Sequence, residues 1–510
     1  MNRYLSKLIV HLLTFVLLAT TALASRAAAQ SPAEAPTLPA KPVPGEGPAG
    51  EWLGALAVGP VKLRLALHVE KKGDGGLGAI LDSIDQGGAK IPVDTVAFEG
   101  GTLRLTLKAI DATYEGKLNA DGSALEGTWS QGGQHLPLTL HRLEKAFALN
   151  RPQEPKGPFP YESREVAFHS EAGNARLVGT LLLPAGKGPF PAVALVTGSG
   201  PQDRDETLMG HKPFLVIADA LARRGIASLR WDDRGTAASG GDHWGSTVDD
   251  FAADARAAVA ILRSRPEVDK SAIGIVGHSE GGLIAPMVAA SSQSVGFLVL
   301  LAPPGEPIRS LLMRQTRDLY RLQGLDPKLI DRTLAAQAED LDLIADPALT
   351  VDRLQEKLRA LAEARRPQFT AEERAQLRID GDAIERAIRV STTAWFRSLI
   401  RKDPAVYLRE VKIPVLALFG EKDFQVEPQV NAAAARASLA AAGNPNHEER
   451  ILPGLNHLFQ HAKTGSIEEY AEIEETFAPE ALSTIGDWIM ARFPKRRSPA
   501  VQPANPGAGR

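Results

Sequence analysis

Five short, largely apolar runs constrain the fold of this chain more than any other feature of its sequence. They cover residues 192–196, 226–229, 273–276, 297–301 and 415–419. Strands that are covered on both faces in a parallel sheet have this composition, without polar alternation. Amphipathic stretches such as 214–224 and 247–265 separate the runs and have helical periodicity. The alternation predicts a doubly wound, mostly parallel α/β sheet built from residues 161–302 and 405–493.

The segment between these two parts has a different pattern. Residues 303–404 read as consecutive helices, and we expect them to form a helical cap inserted into the α/β domain. Asp326-Pro327 has the residue types of an N-cap followed by a first helical turn. Thr370 and Glu373 have the spacing of a capping box for another of these helices.

The region before the α/β domain alternates apolar and polar side chains. Residues 50–145 follow a period of two, as between Val61 and Val69, and contain turn signals such as Asp121-Gly122. This pattern predicts a small all-β domain, either a barrel or a sandwich. Three segments poor in large apolar side chains are expected to be two linkers and a disordered tail: 30–49, 146–160 and 494–510.

The first residues have the pattern of a secretory signal. Arg3 and Lys7 precede an uncharged stretch, residues 8–24, that ends in small side chains. This run is shorter than the roughly 20 residues that a membrane-spanning helix needs, which favours cleavage over anchoring. Cleavage could follow Ala22-Leu23-Ala24 or Ala27-Ala28-Ala29. The second site, which makes 1–29 the signal, is preferred because a Pro-rich linker follows it. We therefore expect a periplasmic or secreted protein with no stable membrane insertion after signal removal.

Charge and cysteine content exclude several kinds of chemistry. The chain has 58 Lys and Arg against 61 Asp and Glu, a net charge of -3, so a nucleic-acid partner is not expected. It contains no cysteine, which excludes disulfide bonds and a thiol nucleophile.

Residues 277–281 read Gly-His-Ser-Glu-Gly, the G-x-S-x-G pattern of a nucleophile elbow. The motif alone is weak, because a Gly-rich turn in a chain with 46 glycines can contain a serine by chance. Its context is more specific, since the apolar run 273–276 comes directly before it and a helix-compatible stretch follows. Gly277 and Gly281 would let strand and helix approach without a Cβ clash, and this holds Ser279 in a strained, accessible position.

A serine nucleophile needs an acid and a histidine base, in the chain order serine, acid, histidine. Asp423 is the preferred acid, in a loop after the run 415–419, and Glu421 is the alternative. His457 ends a loop after the next candidate strand and is the expected base. His461 raises the alternative of two imidazoles on one helical face holding a metal. No carboxylate or cysteine completes that site, so a surface His461 in a following helix is favoured and no metal is expected.

The tetrahedral intermediate of acyl transfer needs backbone N–H donors for its oxyanion. One donor is expected to be the N–H of Glu280, directly after the nucleophile. The other is expected from the Gly-rich segment 197–205, with Ser199 as the first choice and Gly200 as the second. This segment lacks the G-K-[ST] ending of a phosphate-binding loop.

Five stretches, in this order, resemble bacterial exported α/β-hydrolase esterases related to the serine aminopeptidase and prolyl oligopeptidase groups. They are GSGPQDRDE (198–206), DDRGTAASGG (232–241), GHSEGG (277–282), GEKDFQV (420–426) and GLNHLFQ (454–460). The resemblance covers residues from about 160 to 493. It implies hydrolysis of short or medium acyl esters by the triad named above, and the β domain also resembles one that precedes such hydrolases. Thr197 departs from the histidine that many relatives of the wider fold carry, which leaves the shape of the oxyanion loop open. Four charged residues are expected to form structural ion pairs around its mouth: Asp203, Arg204, Asp233 and Arg234.

We therefore expect a serine carboxylesterase that acts on a small-molecule acyl ester and needs no cofactor. One alternative is an exported serine peptidase or aminopeptidase, which would need an acidic cluster to hold a substrate amine. The acidic segment 468–475 is better interpreted as a solvated helical face. Another alternative is a binding protein with a vestigial hydrolase domain. In the cap, Trp395 and Phe396 either line the acyl pocket and limit acyl size or belong only to the cap core.

Overall fold

A computed structural model describes residues 43–494, except 59–60, 74, 85–88, 132–133, 148, 378 and 380–381. The expected signal at 1–29, most of the 30–49 linker and almost all of the 494–510 tail lie outside the described residues. Across the described ranges, no helix is both long and apolar enough to cross a membrane.

The N-terminal region forms one antiparallel sheet of nine strands. These are β1 (Gly50–Val58), β2 (Val61–Lys71), β3 (Leu77–Ser83), β4 (Ala89–Pro92), β5 (Thr95–Glu99), β6 (Thr102–Leu107), β7 (Ala112–Leu118), β8 (Ala124–Gln131) and β9 (Gln134–Leu143). The strand order is β4-β3-β2-β1-β9-β8-β7-β6-β5. Since the two edge strands, β4 and β5, are joined by only Val93 and Asp94, the edges of this sheet lie beside each other. That arrangement is closer to a barrel than to a sandwich of two sheets.

The alternating pattern predicted for this region sets which side chains face its core. In β2, Leu65, Leu67 and Val69 are buried while the residues between them are more exposed. Tyr114 lies in the same core, and its hydroxyl donates to the backbone carbonyl of Leu125 at 2.9 Å.

The α/β region is built on an eight-stranded sheet in the order β10-β11-β13-β12-β14-β15-β16-β17. Its strands are β10 (Glu162–His169), β11 (Arg176–Leu183), β12 (Phe190–Val196), β13 (Ala227–Trp231), β14 (Val268–His278), β15 (Phe297–Leu301), β16 (Val415–Gly420) and β17 (His447–Leu452). The six strands β12 to β17 run parallel to one another. At one edge of the sheet, β11 pairs antiparallel with β13, and β10 pairs antiparallel with β11. The five apolar runs form β12 to β16, the buried centre of the sheet.

Five helices flank the sheet. They are α1 (Pro213–Arg223), α2 (Val248–Ser264), α3 (Glu280–Ser291), α11 (Pro428–Ala441) and α12 (Pro479–Arg492). In the amphipathic helix α2, the side chain of Thr247 accepts from the backbone N–H of Asp250, and Asp250 accepts from that of Thr247. This capping box fixes where the helix begins.

The segment between β15 and β16 is helical. Its helices are α4 (Ile308–Leu322), α5 (Pro327–Ala345), α6 (Val351–Arg365), α7 (Ala371–Leu377), α8 (Asp382–Ser391), α9 (Ala394–Leu399) and α10 (Pro404–Leu408). Asp326 caps α5 by accepting from the N–H groups of Lys328 and Leu329. Thr370 and Glu373 form the expected capping box, with bonds of 2.8 and 3.1 Å.

The segment 146–160 joins the two regions and is attached to the second one. The guanidinium of Arg151 is buried and donates to the carbonyls of Met209, Ala471 and Ile473 at 2.9–3.1 Å. Gln153 accepts from the N–H of Phe477 at 2.9 Å. These bonds hold the segment against loops of the α/β region.

Candidate active site

Ser279 lies in the sharp turn between β14 and α3. Its φ is 52° and its ψ is -114°, a conformation that is costly for a residue with a side chain. A Cβ added at Gly277 would lie 2.1 Å from the carbonyl oxygen of Gly281, and one at Gly281 would lie 2.2 Å from that of Val196. Only glycine fits at either position, so both glycines allow the turn that presents Ser279 at the end of the sheet.

Asp423 and His457 meet in the loops that follow two neighbouring parallel strands, β16 and β17. The Nδ1 atom of His457 lies 2.7 Å from Oδ2 of Asp423, and both side chains are buried. The other carboxylate oxygen of Asp423 accepts from the N–H groups of Gln425 and Val426 at 2.8 and 2.9 Å. These bonds fix Asp423 in position. Because Asp423 occupies Nδ1 of His457, the Nε2 atom remains for a second partner.

Glu421, the alternative acid, is placed differently. Its side chain accepts from the N–H of Gly454 at 2.8 Å, in an exposed position. It supports the loop that leads to His457 and makes no contact with the imidazole.

Ser279 and His457 line the same cavity of about 140 Å³. Its apolar wall comes from the cap and from loops at the sheet edge: Met209, Ile308, Leu311, Leu312, Leu399, Val426, Leu458 and Ile467. Of the residues predicted for the oxyanion hole and the pocket, four line it as well: Ser199, Glu280, Trp395 and Phe396. Gly198, next to Ser199, is also part of the lining. Gly200 is buried outside this lining.

The Gly-rich loop after β12, predicted to supply an oxyanion donor, is held by a carboxylate. The hydroxyl of Thr197 donates to Asp233 at 2.9 Å, and the N–H of Gln202 donates to the same carboxylate at 2.9 Å. Burial raises the pKa of Asp233 well above its usual range, against the effect of these two donors. By accepting from both ends of this segment, Asp233 fixes the conformation of the loop between Thr197 and Gln202.

The predicted ion pairs around this loop are partly wrong. Arg204 pairs with Asp232 at 2.7 Å and Arg234 pairs with Asp254 at 2.8 Å. Asp233 forms no ion pair and holds the loop, while Asp203 accepts from backbone N–H groups of the turn that follows it. Both arginines pair with aspartates outside the predicted set, which the composition of the motif does not reveal.

His278, directly before the nucleophile, has a role that sequence reasoning missed. Its Nδ1 atom lies 2.9 Å from the carboxylate of Glu206, and its Nε2 atom lies 3.0 Å from the backbone carbonyl of His457. Glu206 also accepts from the N–H of Gly198 at 2.7 Å. Burial lowers the pKa of His278, but the Glu206 carboxylate outweighs it and raises the pKa above its ordinary value. The sequence signal for this pair was that Glu206 and His278 lie in two of the family-like stretches, 198–206 and 277–282.

The side chain of Glu280 lies inside the cavity, beside the nucleophile. The indole N–H of Trp395 donates to both of its oxygens, at 3.0 and 3.2 Å, and the side chain of Ser199 also interacts with it. Burial raises the pKa of Glu280 to about 7. Sequence reasoning assigned only the backbone of Glu280 to the site.

Trp395 and Phe396 both line the cavity but differ in their other contacts. Trp395 bonds to Glu280, whereas Phe396 also lines a second cavity, of about 200 Å³, among the cap helices. Phe396 thus separates the cavity next to Ser279 from a cavity inside the cap.

Two helices predicted near His457 are not formed. His461 lies in a loop and pairs with Glu475 and Glu480 at 2.9 and 3.0 Å. The acidic segment 468–475 contains only the end of a single helical turn, Ile467–Glu469. The carboxylates of Glu469 and Glu475 accept bonds from nearby non-helical backbone, and Tyr470 is buried in the wall of the cavity. Within the described residues, no three His, Asp or Glu side chains are grouped so that they could hold a metal ion.

The parallel sheet, the strained serine in its elbow and the buried acid–histidine pair form an arrangement like that of serine hydrolases of the α/β-hydrolase fold. Residues 212–462, just under half of the chain, match the family described as serine aminopeptidase, S33. The match includes Ser279, Asp423 and His457 and leaves out the oxyanion loop.

The esterase EstD of Thermotoga maritima is 29% identical to this chain over 302 residues. The aligned part is 59% of this chain and 61% of that esterase, so the chain covers less than two thirds of the length of this relative.

Solved structures with a similar fold include an esterase of Pyrococcus furiosus, PF2001. It has 17% identity and a TM-score of 0.39, and the alignment covers 68% of this chain and 98% of that structure. An α/β-hydrolase of Penicillium sp. sh18, GrgF, has 18% identity and a TM-score of 0.39, with 65% and 98% covered. The esterase Est1E of Butyrivibrio proteoclasticus, solved with ferulic acid, has 16% identity and a TM-score of 0.37, with 63% and 98% covered.

Proposed function

We propose that this protein hydrolyses carboxylic esters through an acyl-enzyme on Ser279. The observation that carries the proposal is the hydrogen bond of 2.7 Å between His457 and Asp423, with His457 lining the same cavity as the strained Ser279. A serine hydroxyl is a weak nucleophile, and a histidine oriented by a buried carboxylate activates it.

The mechanism follows from these positions. His457 takes the proton of Ser279 through Nε2 as the oxygen attacks the acyl carbon, and Asp423 stabilises the imidazolium through Nδ1. The backbone N–H groups of Glu280 and Ser199 bind the oxyanion of the tetrahedral intermediate. His457 then gives its proton to the departing alcohol, and water attacks the acyl-enzyme by the same route in reverse order. The products are the acid, the alcohol and the free serine.

The cavity indicates the class of ester. Its lining is mainly apolar, and none of its described residues is a lysine or arginine that could pair with an anionic substrate. A volume of about 140 Å³ suits a short or medium acyl chain rather than a bulky one. We therefore expect neutral esters of aliphatic acids to be the preferred substrates.

The first experiment is covalent labelling and turnover. A fluorophosphonate probe is expected to label the wild-type protein and not Ser279→Ala, and ester turnover is expected to fall by at least about 10⁴-fold in that variant. Asp423→Asn is expected to lose about 10⁴-fold in kcat, while the matched change Glu421→Gln keeps most of the activity. An unlabelled wild-type protein would favour a binding protein with a vestigial hydrolase domain.

A second candidate reaction is the removal of an amino-terminal residue from a peptide. It is supported by the buried carboxylate of Glu280 in the cavity, because such a group can bind a substrate ammonium. A panel of acetyl to octanoyl esters beside aminoacyl anilides distinguishes the two reactions by kcat/KM. Faster hydrolysis of the anilides would reverse our order of preference.

We also propose that residues 1–29 direct export to the periplasm or the medium. The support is the charge and apolar pattern of this segment. Expression of the full chain in bacteria, with fractionation and sequencing of the mature N-terminus, tests this. A cytoplasmic protein that retains its first residues would contradict it.

A further inference from the structure

Glu280 connects three parts of the molecule that the proposed reaction requires. It follows Ser279 in the elbow, accepts from Trp395 of the cap at 3.0 and 3.2 Å, and interacts with the side chain of Ser199 in the predicted oxyanion loop. The side chains of Glu280 and Trp395 are both buried. Elbow, oxyanion loop and cap therefore meet at one carboxyl group.

The cap end of this connection is attached to the α/β region. The N–H of Trp395 donates to the carbonyl of Trp244, and their rings pack edge to face at 5.7 Å. In the same short helix α9, the hydroxyl of Ser398 accepts from the N–H of Val248 at 2.9 Å. Trp395 is thus a fixed anchor for Glu280 rather than part of a free lid.

The surroundings of Glu280 offer no positive counter-charge in the described structure. Its bonding partners are neutral donors, and Asp233, which holds the oxyanion loop, is a second buried carboxyl group near enough to interact with it. Ionising a buried carboxyl without a cation is costly, and a nearby acid adds to that cost. The other titratable groups that line this cavity or contact its lining are Glu206, His243, His278, Asp423, His457 and Tyr470.

We propose that Glu280 is a positioning residue that holds Ser199 and Trp395 in place around Ser279, and that its carboxyl group must be neutral for rapid turnover. This inference rests on the proposed ester hydrolysis. The oxyanion of the intermediate forms at the backbone N–H groups of Glu280 and Ser199, next to this carboxyl group. A neutral carboxyl tolerates that charge, whereas a carboxylate repels it.

The charge requirement gives an unusual pH profile. At high pH the rate falls because Glu280 ionises, and with the pKa of Glu280 raised to about 7 this decline lies within the accessible pH range. We expect kcat for a neutral ester to decrease about 10- to 100-fold from pH 6.5 to pH 9.

The test compares three substitutions at this connection. Glu280→Gln keeps the bonding groups without the charge, so its kcat is expected to show no alkaline decline and to be lowered less at pH 6.5 than that of Glu280→Ala. Glu280→Ala removes the connection, and a loss of about tenfold in kcat at every pH is expected. Trp395→Phe removes an N–H that favours the ionised form, which is expected to shift the alkaline decline to higher pH.

The matched control is Glu306→Gln, another buried glutamate, which pairs with Arg314 away from Ser279. It is expected to keep the wild-type profile. An alkaline decline that persists in Glu280→Gln, or equal losses in the Gln and Ala variants, would overturn the inference.

A measurement that does not need turnover separates this inference from the proposed reaction. The melting temperature of Glu280→Gln is expected to exceed that of wild type at pH 8.5 and to match it near pH 5. Equal melting temperatures at both pH values would contradict the neutral carboxyl even in an inactive protein. Failure of the proposed ester hydrolysis would instead appear as absent fluorophosphonate labelling.

Discussion

At the scale of single residues, burial of ionisable side chains sets the pH response of this protein. His243 is fully buried, and neither of its ring nitrogens has a hydrogen-bond partner among the described residues. Its ring stacks on Phe251 at 4.8 Å and lies 6.1 Å from that of Trp395. Burial, with the charge of Arg234 nearby, lowers the pKa of His243 to about 3. The folded state therefore keeps this imidazole neutral.

This neutral imidazole makes the protein less stable in acid. Between pH 3 and 6.5 the unfolded chain binds a proton at His243 that the folded chain does not. The free energy of unfolding is therefore not reduced by this residue above pH 6.5 and decreases as the pH falls below that value. Replacing His243 with Phe removes this proton and preserves the stacking. We expect His243→Phe to gain about 2 kcal/mol relative to wild type between pH 7 and pH 5.

Urea unfolding at the two pH values measures this difference. His169→Phe, on an exposed strand end, is the control and is expected to give no pH-dependent gain. A constant effect of His243→Phe at both pH values would mean that the proton is not the cause.

At the scale of secondary-structure elements, the short helix α9 decides the shape of the substrate cavity. Phe396 lines both the cavity at Ser279 and the cavity within the cap. We expect Phe396→Ala to join them and to shift the preferred ester by several carbons, with about a tenfold gain in kcat/KM for octanoyl over butanoyl esters. Because Phe396 is buried, a loss of about 3 kcal/mol in stability is expected as well.

Phe369 provides the comparison for this prediction. It lines only the cap cavity, so Phe369→Ala should lose similar stability without changing chain-length preference. Chain-length profiles beside chemical unfolding of both variants distinguish a pocket wall from a residue of the cap core. Identical profiles for the two variants would show that Phe396 does not limit acyl size.

At the scale of the whole molecule, the α/β region includes residues that precede its first strand, β10. The bonds of Arg151 and Gln153 tie the segment 146–160 to loops that surround the site, including Met209, which lines the cavity. A chain that starts at residue 146 is expected to keep ester turnover within a few-fold of the full protein. One that starts at residue 161 is expected to lose several degrees in melting temperature, because it lacks these buried bonds.

Turnover and melting curves of both truncated chains test this arrangement. Arg151→Ala in the full protein is expected to reproduce part of the loss. Equal stability of the two truncated chains would show that the segment is only a tether. Loss of ester turnover in the longer one would assign a role in the reaction to the β domain.

The central strands and the elbow were predictable because their signals are local. Apolar runs without alternation predict strands buried on both faces, and two glycines four residues apart mark the turn at Ser279. The positions of Asp423 and His457 follow from the same logic, because the loops after neighbouring parallel strands lie at one edge of the sheet. For these features, the local sequence pattern and the order of the strands are enough to predict where each residue lies.

Only the tertiary structure decided what surrounds Ser279. Glu280 and Trp395 are 115 residues apart, and Glu206 and His278 are 72 apart, so nothing in the local sequence pairs them. The polar side chains of the acidic segment 468–475 predict a solvated helix, yet most of the segment is a loop because the carboxylates of Glu469 and Glu475 bond to the backbone and Tyr470 packs inward. Local propensity determines where a strand or an elbow forms. Which distant side chains satisfy a buried carboxyl depends on how the elements pack.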